Sequence, residues 1–141
     1  MKFWDGSAVV PLVLREPTSS VQEELLAADP QQWVWWGTEL ECVSAISQRE
    51  RTGDLTTSEA DEALDLLASL VVTWREVPPS DHVRRAARRL LRTHTLTAPD
   101  ALQLAAAIAA SENRPETLDL VTLDDRLALA ASREGFRVVS A

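Results

Sequence analysis

A chain of 141 residues with 45% hydrophobic and 26% charged residues has the size and makeup of an ordinary globular domain, and one compact domain over 1–141 is expected. A formal charge of -8 excludes a protein that coats nucleic acid through bulk positive charge, because that mode needs clustered Lys and Arg. One cysteine excludes an internal disulfide framework, no apolar run reaches a membrane span of about 18 residues, and Met1-Lys2-Phe3-Trp4-Asp5 lacks the order of a secretory signal, so a cytoplasmic setting without membrane contact is expected.

Residues 2–4 read as a short buried strand, Asp5-Gly6-Ser7 as a tight turn, and the apolar residues 8–14 as a buried helix. Thr18-Ser19-Ser20 opens a second helix to about residue 28, closed at Asp29-Pro30 because the residue before proline is biased away from helix. Residues 32–36 form a second short strand. Thr38 is expected to cap a long helix to about Arg51, with Gly53 just past its end where a left-handed residue is wanted. Thr56-Thr57-Ser58-Glu59 reads as a capping box, and Ala60, Ala63, Leu64, Leu67, Leu70 and Val71 follow at helical spacing, so a helix over 57–72 makes an antiparallel hairpin with its predecessor. Residues 74–77 allow a brief strand before Pro78-Pro79. Ser80 starts a helix with an apolar stripe of Val83, Ala87, Leu90 and Leu91. Thr97-Ala98-Pro99-Asp100 begins a helix to residue 110 in which only Gln103 is polar after Asp100, so that helix must be buried. A strand over 118–122, a helix over 124–133 with Leu127, Ala128 and Ala131 inward, a turn at Gly135 and a strand over 136–139 complete the chain. Strands separated by helices imply an α/β fold with a mainly parallel sheet covered on both faces.

Most of the 22 acidic residues belong on solvated helix faces, but four sit in unusual places. Asp5 follows the first strand and Asp124 the fourth, on the rim where an open parallel sheet builds its sites. Asp100 begins the apolar helix, and Glu41 lies early in a helix beside Leu40, Val43, Ser44 and Ala45. Two half-buried carboxylates about 4 Å apart repel by roughly 4 kcal/mol at an effective dielectric of 20, which a divalent cation or a shared proton would relieve. All-oxygen ligation suits Mg2+ or Mn2+, and no Cys/His spacing points to zinc. Metal-assisted phosphodiester hydrolysis is the reaction class this set implies. Each residue also has a local explanation: Asp5 as a turn residue, Asp124 as a helix cap, Asp100 as part of a cap with Thr97, and Glu41 as a solvated residue whose neighbour Glu39 competes for the role. Ser7 and Thr122, two residues from Asp5 and Asp124, could hydrogen-bond those carboxylates or act as local caps.

These segments resemble the PIN domain. Trp4-Asp5-Gly6-Ser7-Ala8-Val9-Val10 is similar to its strand-plus-Asp opening, Glu41-Cys42-Val43-Ser44-Ala45 to its helical Glu, Thr97 to Ala107 to its third acidic segment, and Val121-Thr122-Leu123-Asp124-Asp125-Arg126-Leu127 to its fourth. The resemblance implies a three-layer α/β/α sandwich, catalysis by Asp5, Glu41, Asp100 and Asp124 with Asp5, Asp100 and Asp124 as ligands of Mg2+ or Mn2+, and polar support from Ser7 and Thr122. It further implies a VapC-like toxin: a ribonuclease that forms homodimers and is inhibited by a cognate VapB-like antitoxin. Gly6 stands where the family often carries Thr or another side chain, and Asp124 rather than Asp125 has the ligand's register.

Arg84, Arg85, Arg88, Arg89 and Arg92 recur at helical spacing and form one basic face, either solvated or a track for an RNA backbone. Trp33, Trp35, Trp36 and Trp74 read as core or interface residues, and Cys42, His82 and His94 as structural. A phosphoacceptor receiver or an aspartate-nucleophile phosphatase would also place carboxylates around magnesium, but both need a lysine near the phosphate and none follows Lys2. The remaining alternative is a non-catalytic module whose acidic crevice docks a basic partner segment.

Overall fold

Successive residues of a strand point to opposite faces of its sheet, and when both faces are apolar the sheet must be covered on both sides. Of the five short strands, β1 (Lys2–Trp4), β2 (Gln32–Trp35), β3 (Arg75–Val77), β4 (Asp119–Val121) and β5 (Val138–Val139), the three inner ones, β1, β2 and β4, bury apolar side chains on both faces, whereas β3 exposes Arg75 and Glu76. All five form one sheet in the order β3-β2-β1-β4-β5, with every pairing parallel. The structure, a computed structural model, describes residues 1–139; Ser140 and Ala141, the end of the expected domain, lie outside the described residues.

The alternation divides the core in two. Phe3, Trp35 and Leu120 point into one apolar cluster, built with α5 (Asp81–Thr93), α6 (Ala98–Ala110) and α7 (Asp125–Arg133). Their strand neighbours Trp4, Val34 and Val121 point into a second, built with α1 (Gly6–Val13), α3 (Thr38–Arg51) and α4 (Thr57–Val71), against which α2 (Ser19–Ala28) packs Leu25 and Leu26. The result is an α/β/α sandwich. Helix α6 is buried along its length, and Ala105, Ala106 and Ala107 let its backbone approach the sheet closely.

Local chemistry sets most of the boundaries. Thr56 and Glu59 form the reciprocal capping box at the start of α4, and Ser80 and Thr97 each accept an amide hydrogen bond at the starts of α5 and α6. Gly53 follows α3 with φ +84 and Gly135 follows α7 with φ +102, the left-handed region that only glycine enters without strain.

Several expectations need correction. No separate turn precedes α1: the helix begins at Gly6, and the Asp5 carbonyl accepts its first amide bonds, from Ala8 and Val9. Thr38 does not cap α3; Gly37 occupies that position and the fully buried Thr38 hydroxyl accepts a hydrogen bond from Gln103 instead. Leu91 leaves the α5 stripe and is 41% exposed, and Ala128 is only partly buried, because the inward faces of these helices run through Leu90 and Ala130. A short 3-10 turn at Pro115–Thr117 precedes β4, and the last strand is confined to Val138 and Val139.

Leu104 is fully buried between α6 and the sheet, whereas Leu66 on α4 is 52% exposed. Leu104→Ala is expected to cost about 2–5 kcal/mol of stability and Leu66→Ala no more than about 0.5, read as the difference in urea midpoints at unchanged slope.

Candidate functional site

The order in which strands are added reverses beside β1: β2 and β3 are laid to one side of it, β4 and β5 to the other. At such a switch point the connections leave in opposite directions and open a crevice at the carboxyl ends of the strands. Asp5 and Asp124 follow the two strands that flank it, β1 and β4. The ladder continues past β1, with the Asp5 amide donating to the Val121 carbonyl at 3.0 Å.

Asp5 is 3% exposed, at the position where a side chain would ordinarily cap α1, yet it makes no cap bond. Its Oδ2 accepts instead from the Ser7 hydroxyl at 2.5 Å and from the Thr122 hydroxyl, itself fully buried, at 2.7 Å. Ser7 Oγ in turn accepts from the Leu123 amide, and Thr122 Oγ1 from the Asp124 amide, so two hydroxyls tie the segments after β1 and β4 together. Asp124 caps α7: its Oδ1 accepts from the amides of Arg126 and Leu127 at 2.9 and 3.0 Å.

Glu41 enters from α3. Its Oε2 accepts from Gln103 Nε2 at 2.5 Å, and the same amide group donates to Thr38 at 2.9 Å. The carboxylate leans against Gly6, where an added Cβ would lie 3.1 Å from Glu41 Oε1. A bare backbone at that position leaves Glu41 room to approach the start of α1. Asp100, in the first turn of α6, is half-buried, and its amide is held by the Thr97 hydroxyl. The competing candidates turn away, since Glu39 and Asp125 are both exposed.

Burial and mutual repulsion raise the proton affinity of Asp5, Glu41 and Asp100. The Asp5 carboxyl is pushed up chiefly by burial, against the lowering effect of the Ser7 and Thr122 hydrogen bonds, with further repulsion from Asp100 and Asp124. Glu41 is pushed up to about 7, first by burial and then by Asp5 and Asp100, with the Gln103 hydrogen bond opposing. Asp100 is raised by burial and by Asp124, and lowered by Thr97 and by the nearby Arg126. Residues distant in sequence thus feel one another's charge.

The PIN domain family model matches residues 2–132. The chain belongs to the PIN domain family. No curated protein matches it in sequence. Among solved structures it is similar in fold to a toxin-antitoxin complex from Klebsiella pneumoniae, at 17% identity and a TM-score of 0.65 over 91% of each chain. It is similar also to PAE2754 from Pyrobaculum aerophilum, at 21% identity and a TM-score of 0.65 over 98% of this chain and 83% of that one. A third such structure is VapBC2 from Rickettsia felis bound to a DNA fragment from their promoter, at 15% identity and a TM-score of 0.65 over 99% of this chain and 97% of that one.

Among the described residues of this PIN domain, no three His, Cys, Asp or Glu side chains converge closely enough to hold an ion as they stand. The donor chemistry nonetheless fits a hard divalent cation. Asp5, Glu41 and Asp124 each give one oxygen to protein donors and keep the other without a hydrogen-bond partner among the described residues. The set is all oxygen, multiply charged and partly withdrawn from water.

The five arginines of α5 are all exposed, and not all are unengaged. Arg89 pairs with Glu134 at 2.9 Å and Arg84 with Asp81 at 3.6 Å, while Arg85, Arg88 and Arg92 make no ion pair among the described residues. Glu134 also meets His94 Nε2 at 2.7 Å, so this histidine joins the end of α5 to the end of α7. Trp35 and Trp74 are buried and Trp33 partly so, but Trp36 is 52% exposed, contrary to a core placement. Three contributors escaped the sequence reading: Gln103 as the partner of Glu41, Gly6 as its clearance, and Arg126 beside Asp100. Gln103 had a visible signal, the lone polar side chain of an apolar helix, three residues and so one helical turn after Asp100.

A carboxyl whose folded-state proton affinity is raised favours the folded state below its ordinary range and loses that advantage as pH climbs through the raised value. In EDTA, stability should therefore fall between pH 4.5 and about 7, and Glu41→Gln should flatten that fall. Urea midpoints measured across this range check it.

Proposed function

We propose that this PIN domain is a Mg2+- or Mn2+-dependent endoribonuclease, a VapC-like toxin forming a single domain over 1–141. The observation that carries the reading is that Asp5, Glu41 and Asp100 are each raised by burial and by the charge of a neighbouring carboxylate, with Asp124 acting on Asp5 and Asp100. Family membership supports the reaction class, since PIN domains are generally nucleases. The toxin assignment is supported by the likeness to structures described as a toxin-antitoxin complex and as VapBC2. A cognate VapB-like antitoxin that covers the crevice, a homodimer and a cytoplasmic setting belong to the same reading; among the described residues no helix is long and apolar enough to cross a membrane.

Asp5, Asp100 and Asp124 would hold the cation, with Glu41 completing the negative crevice. Such an ion lowers the pKa of a bound water and neutralises charge developing on the phosphodiester. Everything else belongs to the chain. Ser7 and Thr122 hold one oxygen of Asp5 and leave the other free of hydrogen-bond partners among the described residues. The α7 amides do the same for Asp124. Gln103 holds Glu41 by one oxygen, and Glu41, with its proton affinity pushed up to about 7, is placed to take a proton from an attacking water near neutral pH.

The docking-module alternative draws on one observation, the lack of three carboxylates close enough to hold an ion as they stand. Activity separates the two. Wild type should cleave RNA with Mg2+ or Mn2+ and stop in EDTA. Asp5→Asn should lower cleavage about a thousandfold, since a metal ion contributes several kcal/mol at the transition state and each 1.36 kcal/mol is tenfold. Its thermal midpoint in EDTA should be at or above wild type, because a buried charge has been removed. RNA cleavage by Asp5→Asn at the wild-type rate would remove the crevice from the chemistry. Induced in cells, wild type should arrest growth and Asp100→Ala should not; equal tolerance of both would favour the docking module.

A further inference from the structure

A second site lies beside the acidic crevice. The segment that leads from α5 into α6 (His94, Thr95) and the outer face of α7 (Arg126, Leu129, Ala130, Arg133) enclose a cavity of about 170 Å³. It is bounded by the approach to the helix that begins with Asp100 and by the helix that Asp124 caps. Arg126 is near enough to Asp100 to lower its proton affinity, and its amide is bound to Asp124. The cavity and the carboxylates are therefore neighbours.

Its lining is unusual for this chain. In a protein of net charge -8, the cavity carries two guanidinium groups and no carboxylate. Neither Arg126 nor Arg133 makes an ion pair among the described residues, in contrast to Arg89, which Glu134 holds a short way off. Both are exposed, and neither packs in the core; the core face of α7 is Leu127, Ala130 and Ala131. Seven residues at 1.5 Å rise put the two arginines on one helix face about 10 Å apart along its axis. Leu129, 53% exposed, lies between them, giving the sequence cation, apolar side chain, cation along the exposed face.

We propose that this cavity is a subsite for single-stranded RNA, in which Arg126 and Arg133 bind backbone phosphates on either side of a nucleotide whose base rests against Leu129. The phosphate at Arg126 is the one nearer the carboxylates, so the subsite sets which phosphodiester lies over the crevice. Arginine suits the role, since its planar fork binds phosphate oxygens in pairs and its face stacks on bases. An acidic protein segment would satisfy the two cations but would leave the exposed apolar side chain between them without a planar partner. The proposal rests on the ribonuclease reading for the identity of the polymer, and its test does not depend on cleavage.

The experiment uses the full chain carrying Asp5→Asn and a short unstructured oligoribonucleotide, with Kd measured as a function of salt. Arg126→Ala with Arg133→Ala should raise Kd about tenfold or more and flatten the slope of log Kd against log salt by about 1.4, the value for two lost contacts on a single strand. The control is Arg51→Ala with Arg114→Ala, which removes the same charge at the last residue of α3 and in the loop that follows α6, and it should leave both quantities near those of the parent. Equal effects from the two pairs, or none from either, would overturn the subsite. So would a pocket variant that keeps RNA affinity and loses affinity for a poly-glutamate peptide, which would mark a protein-docking surface. If otherwise wild-type protein fails to cleave RNA while the pocket pair still weakens RNA binding, the subsite stands and the nuclease reading falls. In otherwise wild-type protein that does cleave, the pocket pair should shift the positions of the cuts along the oligonucleotide; an unchanged cleavage pattern would contradict the positioning role.

Discussion

Withdrawing a carboxylate from water is unfavourable unless something compensates, and in this fold that penalty is concentrated at one end of the sheet. Asp5 bears it most, almost fully buried behind β1 with two hydroxyl donors on one oxygen. Glu41 and Asp100 bear it too, each raised first by burial and also by a neighbouring carboxylate. A protein selected for stability alone would place apolar or neutral side chains there. On the proposed reading, a bound cation would relieve this repulsion.

The rest of the architecture holds that arrangement in place. Apolar strands with both faces covered give a sheet that cannot slide, and α6 lies on it through alanines, which fixes the height of Asp100 and Gln103 together. Gln103 then reaches across to Thr38 and Glu41, linking α6 to α3 over a separation of more than sixty residues in sequence. Ser7 and Thr122 make the corresponding link between the segments after β1 and β4. Asp5, Glu41 and Asp124 are each held by one oxygen and keep the other without a hydrogen-bond partner among the described residues, so these three are positioned by hydrogen bonds before any ligand binds.

Much of this was legible in the amino-acid order, and the reasons differ from element to element. Helix α6 was legible because a run of alanines and leucines admits only a buried helix, and α4 because the Thr56 to Glu59 pattern satisfies two amides at once. Asp5 and Asp124 stood out as charges at the ends of apolar strands. The role of Thr38 was not legible, because a threonine before a helix reads as a cap until its hydroxyl is found occupied by a partner 65 residues away. Glu39 and Glu41 were hard to separate because a helix start does not declare its buried face until α1 and α6 are packed against it. Gly6 illustrates the same limit: its meaning is a clearance of 3.1 Å to Glu41, a distance set by tertiary packing alone.

The account predicts that the crevice is unstable empty and stabilised by a hard cation. The most direct test is the thermal midpoint of the full chain as Mn2+ or Mg2+ is titrated at pH 8, beside a variant in which Asp5, Asp100 and Asp124 are all replaced by Asn. The midpoint of the natural chain should climb with metal in the manner of a ligand bound only by the folded state, and that of the variant should start higher and stay level. A natural chain whose midpoint ignores the metal, or a variant that climbs just as far, would contradict the account.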